Sequence, residues 1–559
     1  MTAAPGIDEA RWKPIGLLIA AGVLLIGIGY LAILPPFEGF DEPAHYSSAR
    51  QVAYTGTVPI RGHSFIDRFV QDYEKAAPMP WGSRNPPFDQ TGSMTYRSFF
   101  TAAKAVADYQ VYRDEPAANT FVPGSKANWE SQHPPLYYIL MAPIVRLTER
   151  LPFLTQIFVL RIASYFLAFA GLMAGWVATT RYAGKIMPGK ITASYMLFPI
   201  IVPMFFSEFA RMGNDSLCLF FLGITCIFSF RLFYADERDT RSAAGVGACL
   251  GLGLLTKALF LPVFASYAAF MALRAWRARS DTVLRRRRMM ALAVVFFVAL
   301  IVGGGWYFYN FITYGSIVGG NEFVRLAREG GLLHDFWQRF SAFYFFYDLV
   351  GMVASWSWAG SWSLVHVSPF LQFILLLLPA LLIANYTMEA WHFRFDDPIW
   401  LPAWVAGTFV GGLTYHILVA RAVGITAGSG WYLNVLAPLL AVGMGVGVVR
   451  AERSGRERIV LYVLVFYSGF FLLAVLWAQM ALFAGCAVKD DHKYYQFTGH
   501  LFCLDRIGTV VDHLSVLGWP TVGLASFGIG FLCLTAGLVA FVQGERPQPA
   551  DRPALPASP

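Results

Sequence analysis

Asp41, Glu42 and His45 fall within five residues of one another in the stretch "FEGFDEPAHYSSARQ". A positioned carboxylate can take a proton from a reacting hydroxyl, a contribution of typically about 100- to 10,000-fold, and an imidazole can orient or relay. Pro43 suits the first turn of a helix. The residues after it read as a short helix with Ala44, Ala49, Val52 and Ala53 on its apolar side and Gly56 as its stop. On such a helix Asp41 and His45 stand at i and i+4 and share a face, whereas Glu42 points elsewhere. Asp41 is the candidate base, His45 its orienting partner or a contact to the reacting hydroxyl, and Glu42 the second choice. Carboxylates at a helix start also complement its positive end, so capping is a second reading, compatible with the first.

Other side chains belong with this set. Asn214 and Asp215 follow Arg211 in "ARMGNDSL"; a turn favours Asn and Asp in any case, and Arg211, one turn earlier, is placed to neutralise Asp215. Two carboxylates with Asn214 and His45 are oxygen-rich enough to hold a divalent cation, although no spacing demands one and none suggests zinc. Lys257 interrupts an apolar run, and an ionisable group there is a functional candidate or a snorkelling side chain. Arg325, Arg328 and Arg421 are candidates for binding a phosphate. Arg161 reads as structural, paired with a carboxylate such as Glu149, and His133 as a capping or surface residue or, as the second reading, a contact to the reacting molecule. Cys486 and Cys503 are the loop pair available for a disulfide.

These residues must be positioned by membrane helices. The 559 residues are 56% hydrophobic, 16% aromatic and 14% charged, with a mean hydropathy of +0.51; soluble domains carry about 25% charged residues. The expected fold is an all-α polytopic membrane protein with about twelve spans of bilayer length. They lie near 14–34, 153–180, 190–210, 215–234, 243–257, 258–276, 289–311, 364–385, 399–420, 431–449, 459–484 and 515–543. The first reads as a retained helix because no cleavage site follows it. The pair around Lys257 reads as a hairpin, since both its flanks are basic. Arg and Lys concentrate in alternate loops, including "RRRR" at 285–288, which places both termini in the cytoplasm. The net charge of +8 therefore serves topology and anionic lipid rather than nucleic acid. Loops 35–152, 312–363 and 485–514 are left on the far side. Within the first, residues 60–130 read as irregular apart from a helix near 97–112, and "HPPLYYILMAPIVRLTER" as a juxtamembrane helix. Residues 1–13 form a cytoplasmic start, 14–543 one transmembrane domain, and the Pro-rich 544–559 a disordered tail.

An acidic pair opening the first outer loop, "QHPPLYYILMAP" closing it, and then "LRIASYFLAFAG", "ARMGNDSL", "GLLTKALFLP", "GGWYFYNFITYG" and "SWAGSWS" in order resemble the GT-C superfamily of membrane glycosyltransferases. The similarity is to bacterial relatives of protein mannosyltransferases and lipid A aminoarabinose transferases, in a branch marked by "DEPAH". It covers about residues 30 to 450. The chain departs from the pattern at Asn310, preceded by Tyr309 where relatives often carry an Arg-Asn pair, and at Trp431 of "GWYLN", where an arginine is usual. The resemblance implies a multi-pass protein of a bacterial inner membrane with its site on the periplasmic face. It also implies a polyprenyl-phosphate-linked sugar as donor, a lipid, polysaccharide or protein hydroxyl as acceptor, and the acidic pair as catalytic. The rival class is a transporter or lipid flippase, which usually shows an internal repeat and short loops; neither is visible.

Overall fold

The computed structural model describes residues 5–78, 94–187, 189–328, 340–358, 360–363, 368–424, 430–489, 495–497 and 502–544. In hydrocarbon every backbone N–H and C=O must be satisfied within its own segment, so long apolar runs fold as helices. Nine among the described residues are long and apolar enough to cross a membrane. They belong to α1 (Pro5–Ile33), α7 (Phe153–Ile186), α11 (Asp215–Phe230), α14 (Thr282–Tyr314), α17 (Pro369–Ala390), α18 (Leu401–Ala422), α19 (Ala437–Arg453), α20 (Gly455–Phe483) and α22 (Pro520–Gln543). The chain is an all-α, multi-pass membrane protein. Helix α1 packs along α22, and α7 along α11. The second pair crosses where a Cβ on Gly171 or Gly223 would collide with the other helix's backbone, a close approach that membrane interfaces favour.

Two of the expected spans differ in form. Residues 190–210 do not form one spanning helix: α8 (Ile191–Ser194) runs through a 3-10 turn at Tyr195–Leu197 into α9 (Phe198–Ile201), and a separate α10 (Met204–Phe209) follows, all of them buried. Pro199 and Pro203 break the run, because proline lacks the N–H that a continuing helix needs. The segment around Lys257 is the expected hairpin, α12 (Thr240–Leu254) and α13 (Phe260–Arg277). Its base is tied by Glu237, which accepts from Arg274 at 2.5 Å and Arg288 at 2.9 Å. The last expected span is shorter too: residues 507–517 form a separate helix, α21 (Ile507–Leu517), before α22.

The first large loop is more ordered than expected. It holds α2 (Glu42–Thr55), strand β1 (Phe65–Asp67), α3 (Arg68–Ala76), α4 (Tyr96–Thr101), α5 (Ala103–Asp114), strand β2 (Pro123–Ala127) and α6 (Leu136–Leu147). β1 and β2 pair antiparallel. α3 starts where the Asp67 carboxylate accepts the Phe69 N–H at 3.0 Å, a cap of the kind that starts short helices. Juxtamembrane α6 begins at the double proline, as the sequence suggests. Beyond α14 lie α15 (Asn321–Arg328) and α16 (Ala342–Ser355). The 485–514 loop carries the antiparallel pair β3 (Ala487–Lys489) and β4 (Tyr495–Phe497), and Cys486 is bonded to Cys503. The Pro-rich tail past Gly544 lies outside the described residues.

Candidate active site

The stretch from Phe37 to Glu42 is fastened at every residue. The Phe37 N–H donates to Glu42 Oε2 at 2.9 Å. Glu38 accepts from the Tyr96 hydroxyl at 2.5 Å, from Ser361 Oγ at 3.0 Å and from the Ser363 N–H at 2.6 Å. Burial, opposed by these donors, raises its carboxyl to about 7. Gly39 presses against Arg211, whose Cβ would stand 2.8 Å from an added Cβ. The Phe40 ring stacks on Trp431, 5.2 Å between centroids and 5° between planes, with Trp362 edge-on. The Phe40 carbonyl accepts from Arg211 Nη1 at 2.6 Å.

This frame holds Asp41 in the left-handed region, φ 56°, which Asp tolerates better than most residues. Its backbone carbonyl receives the Ala44 and His45 N–H groups at 3.0 Å, so the main chain caps α2. The carboxylate takes no part in capping; it accepts from Trp129 Nε1 at 2.8 Å. Burial and the neighbouring Glu130 raise its pKa to about 6, against the pull of Arg211 and Lys257. The expected i, i+4 pairing with His45 is therefore absent. Asp41 is not helical, and the left-handed twist turns its side chain off the helix face. His45 instead lies between Tyr138, 3.1 Å from Nδ1, and Glu130, 3.7 Å from Nε2. Burial pushes it down to about 3, which keeps the ring neutral.

Glu42 has no capacity left for proton transfer. Arg161 grips it from both sides at 2.7 and 2.6 Å, and the Met212 N–H adds a bond at 3.1 Å. Burial alone would raise its pKa, but Arg161 holds it below the usual value. Arg161 is thus the partner of Glu42, not of Glu149, whose neighbour is Arg146 at 3.4 Å. The guanidinium also ties the carbonyls of Leu34 and Pro35, anchoring the exit of α1 to α7.

Glu130 and Lys257, charged neighbours of Asp41, line a cavity of about 320 Å³ whose wall does not include Asp41 itself. One end is polar, with Glu130, His133, Lys257 and Tyr432. Lys257 donates to both oxygens of Asp215 at 2.9 Å and sits 4.9 Å over the Tyr432 ring. Arg211 reaches Asp215 at 3.3 Å and Glu208 at 2.8 Å. Beside them Asn214 is fully buried with neither amide atom partnered. His133 is a wall of this cavity rather than a surface residue, 3.2 Å from Glu130. Burial would raise the Glu130 carboxyl, but His133 keeps it well below the carboxylate range. Leu259, Pro262, Trp306, Phe409 and Leu413 line the apolar side.

The remaining candidates do not converge here. Arg421 is spent on a two-pronged pair with Asp348, at 2.5 and 2.6 Å. Arg325 is exposed on α15, and the Arg328 side chain lies outside the described residues. No group of three or more His, Cys, Asp or Glu could hold a metal among the described residues. Asp41, His45, Asn214 and Asp215 do not fit a cation as a set, because Asp215 is neutralised by Lys257 and Arg211 and His45 faces Tyr138. Glu130 and Glu208 escaped the sequence reading. Glu208, a carboxylate inside "PMFFSEFARM", carried a usable signal; Glu130, in a polar loop, carried none.

No family model and no curated protein matches the chain. Among solved structures it is similar to ArnT from Cupriavidus metallidurans, in the apo state and bound to undecaprenyl phosphate. Each superposition has a TM-score of 0.43 and 14% sequence identity, and covers 94% of this chain and 77% of that one.

Proposed function

We propose that the protein is a membrane glycosyltransferase of GT-C type. It moves a sugar from a polyprenyl-phosphate donor to a hydroxyl of a cell-envelope acceptor on the periplasmic side of a bacterial inner membrane. Asp41 carries this reading: a carboxylate fixed by its own loop, unused in capping, and an electrostatic neighbour of Glu130 and Lys257, which form the polar end of a cavity whose other wall is apolar. Such a cavity suits an amphiphile with an anionic head.

In the proposed step the acceptor oxygen attacks the anomeric carbon as its proton passes to Asp41. The bond from that carbon to the phosphate oxygen breaks, and the phosphate leaves with the electron pair. Direct displacement inverts the anomeric centre. Lys257 has a third N–H beyond the two given to Asp215, available to the leaving phosphate. Asp215 holds Lys257 in place, and the unpartnered Asn214 amide beside it is a further group for the substrate. Mass spectrometry of envelope glycolipids tests the proposal in a deletion strain carrying either the wild-type chain or Asp41→Asn. Restoration of a missing glycoform by the wild type alone supports it. Equal restoration by both, as a transporter or flippase indifferent to this proton acceptor would give, overturns it.

A further inference from the structure

The cavity's lining holds a second polar pair besides Glu130, His133 and Lys257. Glu322 on α15 and His416 on α18 both line it, with His416 Nε2 at 3.1 Å from Glu322 Oε1. The pair is built rather than incidental. The Phe323 ring lies along the imidazole, 5.7 Å between centroids and 17° between planes. A Cβ at Gly320 would come within 2.7 Å of Glu322 Oε1, and one at Gly319 within 3.2 Å of Asn310 Nδ2, so the two glycines leave room for both side chains.

The chemistry around the pair is mixed. His416 engages one Glu322 oxygen, which leaves the other as an acceptor. Asn310 contributes an amide, and Trp306 a buried indole N–H with no partner. Acceptors and donors side by side, flanked by aromatic rings, match hydroxyl groups on a ring whose carbon faces are apolar. A bare phosphate would be repelled by Glu322, and a lipid tail would leave these polar groups unpaired.

We propose that Glu322 and His416 form a carbohydrate-binding station, with Glu322 accepting a hydrogen bond from a hydroxyl of the donor's sugar, so that the pair selects which sugar is transferred. This rests on the polyprenyl-phosphate reading and adds the recognition of the sugar to it. Sites built to bond a hydroxyl discriminate strongly, because an unsuitable ligand strands their buried polar groups.

The test is binding to the full chain in lipid nanodiscs, with undecaprenyl phosphate, undecaprenyl-phospho-glucose and undecaprenyl-phospho-arabinose as probes. In the wild type at least one sugar-linked probe is expected to bind about tenfold tighter than the bare lipid phosphate, the gain of one charge-assisted hydrogen bond. Glu322→Ala and the closer-fitting Glu322→Gln should remove most of that gain while the bare lipid binds as before; Lys257→Met should weaken all three probes. A wild type with no preference for either sugar-linked probe, or a preference untouched in both Glu322 variants, overturns the sugar station and leaves the donor reading standing. A wild type that binds none of the three overturns the donor reading and the station with it.

Discussion

Asp41 owes its candidacy to where its proton affinity sits. Burial and the charge of Glu130 raise it to about 6, close to the range in which a base is both ionised and willing to accept a proton. In the proposed role the ionised form is the active one, so kcat/KM should climb with pH through a limb near 6 and level off above it. Glu130→Gln removes a negative neighbour, stabilises the Asp41 carboxylate and should move that limb to lower pH. A pH–rate series on both proteins checks this, and a limb that stays in place removes Glu130 from the account. Asp41→Asn should lower turnover by about 100-fold or more with expression and donor binding retained. Glu42 differs from Asp41 by one position and has the opposite fate, since Arg161 occupies both its oxygens.

Among the elements, that Glu42–Arg161 clasp joins α2 to α7 across 119 residues. Glu42→Gln alone should destabilise by ~3–5 kcal/mol, because it strands a buried guanidinium. The double variant Glu42→Gln with Arg161→Met should recover part of the loss. Thermal unfolding in detergent reads both, and additive losses would show that the two do not act as a pair. The long apolar runs were legible because length alone identifies them, and the hairpin at Lys257 was legible from its basic flanks. Residues 190–210 misled because their hydropathy resembles a span while Pro199 and Pro203 forbid one. The nine residues of α3 are too few to show a period. The geometry of Asp41 was hidden for a different reason: the i, i+4 rule presumes a right-handed residue at its start, and nothing in the composition announces φ 56°. Pairings such as Glu42 with Arg161 or Lys257 with Asp215 link distant positions, and one sequence contains no record of them.

At the scale of the whole molecule, the ordered large loop and the arginine-rich turns lie at opposite ends of the helices. A cysteine replacing exposed Ser125 should react with a membrane-impermeant maleimide in intact cells, and one replacing exposed Arg286 only after permeabilisation. The reverse pattern would invert the orientation drawn from the basic loops. Glu38 gives this architecture a mechanical property. Its carboxylate binds Tyr96, Ser361 and Ser363, and its carbonyl receives the Trp362 N–H at 3.3 Å, only three residues before Asp41. The first loop and the segment that follows α16 are thereby geared to one short lever. A shift of residues 360–363 would therefore be passed through Glu38 to the residue three positions on, so that under the proposed reading the two loops would set the aim of the candidate base together.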